Sequence, residues 1–148
     1  MDKKTLLTKI LAILGSILLW LTLLAPVFFC LLFSLRRGVF SLDHFDYLIP
    51  AELFPVVLVG GCLLVWAAWR ARRYFKLIAG SLSLAIVALF SGQLLAVLTG
   101  LASGETKPGG WEWALVVGSI VVYILARVRL GVGGILLSKG GMKPAATG

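Results

Sequence analysis

Residues 77–104 read LIAGSLSLAIVALFSGQLLAVLTGLASG, 28 residues without one charged side chain. About 20 predominantly apolar residues cross a ~30 Å hydrocarbon core, so this stretch can span a bilayer on its own. Its small residues are ordered. Ser81, Ala85, Ala88, Gly92, Ala96 and Gly100 recur at steps of three or four, which puts them on one stripe of a helix. Between helices in lipid, contact comes from close packing, and small residues let backbones approach. The stripe is therefore expected to be the packing face, with Leu84, Leu89, Phe90 and Leu94 turned to lipid or bulkier partners. Gln93 is the deepest polar side chain of this span and neighbours the stripe. It is expected to make an interhelical hydrogen bond or, alternatively, to line a pathway.

Outward from this stretch the pattern repeats. Residues 10–35 give 26 uncharged positions, 53–69 give 17, and 113–126 give 14. Composition agrees: 60% hydrophobic and 14% charged residues lie far from the roughly 45–50% and 25% of soluble domains. The expectation is an all-α membrane protein, a four-transmembrane-helix bundle forming one integral membrane domain. The spans are placed at about 10–35, 52–69, 77–101 and 113–130. Loops fall at 36–51, 70–76 and 102–112, with a tail at 131–148 that is too short and glycine-rich to cross again. The basic residues before the first run suggest a signal peptide, but such an apolar region is only ~7–15 residues long. A retained span is expected instead, loosened near Pro26, which removes one backbone hydrogen bond.

Charge orients the chain. With four crossings and both termini inside, the inner face holds Lys3, Lys4, Lys9, Arg70, Arg72, Arg73, Lys76, Arg127, Arg129, Lys139 and Lys143, eleven of the 14 basic residues. The outer face keeps Arg36, Arg37 and Lys107 with five of the six acids. Lys and Arg in short loops favour the cytoplasmic side, so an N-in, C-in protein of a bacterial cytoplasmic membrane is expected. The net charge of +8 is then a topology signal and no sign of a nucleic-acid partner. Arg70, Arg72, Arg73, Lys76, Arg127 and Arg129 are expected at anionic lipid head groups.

Further packing positions are Gly60 and Gly61, with Ala67 and Ala68 one heptad on, and the small pair Ala114 and Gly118. Two readings of Arg127 are open. It ends the fourth span and its side chain snorkels to head groups, or it lies within a longer helix, paired to something functional. The first is favoured.

Residues 36–55, RRGVFSLDHFDYLIPAELFP, hold the only histidine and three of the six acids. Over 41–49 the apolar residues share one helical face, so a short amphipathic interfacial segment between spans one and two is expected. His44, Asp43, Asp46 and Glu52 are ligand types for a divalent metal but lack a recognised spacing, so no metal or cofactor is assigned. Cys30 and Cys62 form no CxxC and differ in expected depth by roughly 7 Å, which makes them packing residues. A four-helix multidrug exporter needs a membrane glutamate in its first helix, and a four-helix thiol oxidase needs CxxC. Neither is present. Without a catalytic constellation, the expected role is an accessory or assembly subunit packed on a larger membrane complex or on copies of itself. The alternatives are a small oligomeric channel or transporter and, third, a membrane enzyme using the outer acids and His44.

Overall fold

The computed structural model describes residues 3–38, 53–107 and 109–140. They form four helices, α1 (Lys3–Arg37), α2 (Phe54–Ala71), α3 (Phe75–Leu98) and α4 (Trp111–Gly140). Among the described residues there is no strand. All four helices are long and apolar enough to cross a membrane.

Local chemistry sets the helix ends. Proline occupies the first turn of α2, where its missing N–H has no intrahelical acceptor to lose. That helix stops where Arg72 turns left-handed, with φ 52°, and its N–H bonds the Trp69 carbonyl. Tyr74 is also left-handed, with φ 56°, so three residues reverse the chain into α3. A connection this short makes α2 and α3 antiparallel neighbours. At the far end of α3, Gly100 takes φ 71° and donates to the Val97 carbonyl at 3.2 Å. A glycine just past a helix end terminates it without the Cβ penalty. Gly100 thus serves the turn more than the packing stripe.

The helix that carries the fourth expected span is longer than the span placed at about 113–130: α4 continues unbroken through Gly131, Gly133 and Gly134 to Gly140. Of the expected tail, residues 131–140 are helix and 141–148 lie outside the described residues. Within these four helices the small pair of α4, Ala114 and Gly118, is exposed. The amphipathic segment at 41–49 lies outside the described residues.

Packing is built around the glycines. A Cβ on Gly15 of α1 would stand 2.8 Å from the Gly60 carbonyl oxygen of α2, so these two backbones touch directly. Three glycines of α4 each receive a neighbour: Gly131 faces Trp20 of α1, Gly133 faces Leu77 and Ile78 of α3, and Gly134 faces Ser16 of α1 and Leu64 of α2. Leu64, Ile78 and Leu130 are fully buried there. In a bilayer, whose tails are as apolar as leucine, such a contact stabilises through dispersion and absence of voids, not through removal from water. The 131–134 segment is the axis of the bundle.

Candidate functional site

Arg127 and Arg129 interrupt the apolar run of α4. Two residues apart on a helix they point roughly 200° away from each other, so one must turn inward when the other faces out. Arg129 is exposed, whereas Arg127 is only 9% exposed. Arg127 lies about 24 Å from the start of α4 and about 20 Å from its end at 1.5 Å per residue, close to the middle. The helix continues beyond Arg127, and its side chain is buried among the helices of the bundle.

Its surroundings compensate the charge. Arg127 Nη2 donates to Thr22 Oγ1 of α1 at 2.8 Å, and that hydroxyl donates onward to the Leu19 carbonyl at 2.9 Å. The guanidinium carbon lies 5.3 Å from the ring centre of Tyr123, one turn earlier on the same helix. Pro26 of α1 cannot supply the N–H that a helix would direct to the Thr22 carbonyl, so the helix is locally more polar where the arginine meets it. A central arginine costs about 2.5–3.5 kcal/mol on an insertion scale. A charged hydrogen bond of about 1.5–3 kcal/mol and a cation–π contact of about 0.5–2 kcal/mol offset most of that.

The interior is nonetheless rich in unused donors. Arg127 Nε, Trp20 Nε1, Ser16 Oγ and Ser81 Oγ are buried without a hydrogen-bond partner among the described residues. Within the four helices the sole acid is Glu112, in the first turn of α4, roughly 22 Å along the helix from Arg127.

A second feature opens nearby. Between α3 and α4 lies a cleft of about 570 Å³ whose lining includes Gly92, Gln93 and Ala96 on one side and Trp113 and Tyr123 on the other, with Lys107 from the connecting loop. Tyr123 therefore borders both this cleft and the buried guanidinium. Gln93 is exposed and belongs to the cleft wall, with no hydrogen bond to another helix among the described residues.

Along the stripe of α3, Ser81, Ala85, Ala88 and Gly92 are buried, and Ala96 and Gly100 half-buried. Gly60, Gly61, Ala67 and Ala68 are buried as well. Arg70, Arg72, Arg73, Lys76 and Arg129 are exposed. Cys62, expected to pack, is exposed instead, and the side chain of Cys30 is outside the described residues, as are His44, Asp43, Asp46 and Glu52. Among the described residues no three His, Cys, Asp or Glu side chains gather for a metal. Sequence reasoning missed the Thr22–Arg127–Tyr123 group. Two signals could have found it: the two-residue spacing of the arginines and the glycines that carry the helix on. No family model, curated protein or solved structure matches this chain.

Proposed function

We propose that the protein is a multi-pass subunit of a bacterial cytoplasmic membrane, with both termini inside, that packs against a larger membrane complex or against copies of itself. The observation that carries this reading is the unequal use of α1. Its first half packs on α2 and α4 through Ala12, Gly15, Ser16, Leu19 and Thr22, all buried. Beyond Thr22, Leu24, Val27, Phe28, Phe29, Leu31 and Leu32 are all exposed, and these positions span more than half of the circumference of a helix. At about 52 Å, the 35-residue helix also exceeds a ~30 Å core. A neighbouring transmembrane helix would occupy that bare length. The test is a photo-crosslinking side chain at Phe29 with purification in gentle detergent. A discrete adduct with a second polypeptide or a second copy is expected, and adducts with lipid alone would sink the subunit reading. Orientation is checked separately with single cysteines in a background lacking Cys30 and Cys62. Position 106, and not 72, should react with an impermeant reagent on intact cells.

A small channel or transporter is the second reading, favoured by the α3–α4 cleft with Gln93 and Lys107 in its wall and the buried guanidinium behind Tyr123. Solute flux through liposomes containing this chain alone would favour it over the first.

A further inference from the structure

We infer that the cleft at the basic end of the bundle is a binding site for a phospholipid carrying two phosphate groups. This rests on the membrane reading above, but on neither the subunit nor the channel reading. The cleft, about 620 Å³, is lined by Lys4 and Lys9 of α1, Arg70 near the end of α2, Arg73 of the α2–α3 turn, and Leu137 and Gly140 of α4. Four cations from three segments thus surround one hollow, with no acid in its wall among the described residues. Asp2, the acid nearest in sequence, lies outside the described residues. Like charges so gathered repel, and an anion between them relieves the repulsion.

The wall is built, not incidental. Left-handed Arg72 and Tyr74 hold Arg73 in a fixed turn, and Arg73 Nη1 donates to the Gly140 carbonyl at 3.3 Å. A cation at a helix C-terminus complements its unpaired carbonyls. This engages Arg73 and leaves Lys4, Lys9 and Arg70 to face a ligand from two sides. One phosphate neutralises one side, whereas two phosphates on a short bridge engage both. Ala71, Tyr74 and Leu137 line the same cleft beside these cations and offer an apolar track at the head of the acyl chains. A soluble phosphate would match the cations but leave that track bare, so a lipid fits better. Basic pockets between transmembrane helices are known to hold such head groups.

The experiment uses the full chain, delipidated in detergent, with bound lipid counted by native mass spectrometry. The probes are tetraoleoyl cardiolipin, dioleoylphosphatidylglycerol, dioleoylphosphatidylcholine and inorganic pyrophosphate. Cardiolipin should bind roughly fivefold or more tighter than phosphatidylglycerol, and phosphatidylcholine only at background. Each basic residue near a lipid surface contributes about a fivefold factor, so Lys9→Gln/Arg70→Gln should weaken cardiolipin more than tenfold. Lys107→Gln, at the opposite end, should leave it unchanged. Equal binding of cardiolipin and phosphatidylglycerol would overturn the proposal, as would full retention of cardiolipin by the double variant. Competition by pyrophosphate as effective as by cardiolipin would also overturn it and assign the site to a soluble anion. Release of the chain from membranes by alkaline carbonate would instead refute the membrane reading beneath it. A carbonate-resistant protein without lipid preference refutes the lipid site alone.

Discussion

Residues 111–122 and 123–140 belong to one helix, yet they meet the rest of the molecule differently. In the first half the small residues Ala114 and Gly118 are exposed, and a Cβ on Gly118 would meet nothing within 4 Å. In the second half Gly131, Gly133 and Gly134 each hold a side chain from a neighbouring helix. Small residues in both halves look alike in sequence. What separates them is the partner: leucine, isoleucine and tryptophan fill the hollows of the second half, while α3 brings Gly92 and Ala96 to the first. Small against large closes the interface of the second half, whereas in the first half Ala114 and Gly118 lie off the α3 interface, and the cleft beside Gly92 and Ala96 is walled from α4 by Trp113, Val116, Val117 and Ile120. At Gly92 the first half interlocks with α3, with Ser119 of α4 standing where a Cβ would go.

The largest effect is expected at Gly134. A leucine there would drive into Leu64, at 3.0 Å from the Cβ position alone, and into Ser16, forcing α1 and α2 off α4 together. Overpacking costs about 1–3 kcal/mol and occasionally more. With two helices displaced, Gly134→Leu should lose about 3 kcal/mol, read from unfolding of the purified protein in mixed micelles. An unchanged midpoint would mean that 131–134 is not the axis.

How far this was readable from sequence can be judged by the same two halves. Four membrane-length helices are legible because charge-free runs of that length have few other uses. The second half of α4 is not, because two arginines end a span by hydropathy alone. Hydropathy counts a charge without its direction. The 200° between Arg127 and Arg129 lets one face out and the other meet Thr22, and only a partner 105 residues away in sequence shows which. The role of Gly100 was hidden for a related reason. Spacing groups it with the stripe, but its backbone angle belongs to the turn.

The next largest effect concerns that arginine. Thr22→Val keeps shape but removes the hydroxyl that accepts from Arg127, leaving a buried charge short of a partner. A loss of about 2 kcal/mol is expected. Arg127→Leu removes the charge together with its desolvation cost and should change stability by less than about 1 kcal/mol. The double variant should resemble Arg127→Leu alone, a non-additivity that a double-mutant cycle measures. Additive losses would show that the two side chains do not act as a pair.

A smaller effect is expected where the first half does interlock. Gly92→Leu meets Ser119 but borders the open cleft, which gives the new side chain somewhere to go. It should cost about 1–2 kcal/mol. Leu94→Ala, on a residue 60% exposed, should cost less than about 0.5 kcal/mol. The reverse ranking in thermal melts would mean that α3 turns its other face to α4.

The smallest effect has the opposite sign and tests the comparison most directly. Glycine in a helix interior is less favourable than alanine by about 0.8–1 kcal/mol when the added methyl meets nothing. At Gly118 nothing stands within 4 Å of the Cβ position, so Gly118→Ala should stabilise the isolated chain by about 0.5 kcal/mol. At Gly134 the same methyl group already presses on Ser16 and Leu64, and Gly134→Ala should destabilise. One methyl group therefore reports, by its sign alone, whether a partner is present at each glycine. If both substitutions destabilise in the purified protein, the first half of α4 is packed against something within the fold, and the contrast drawn between the halves is wrong. If Gly118→Ala stabilises the isolated chain but weakens co-purification of a second polypeptide, the open face of that half is where the partner sits.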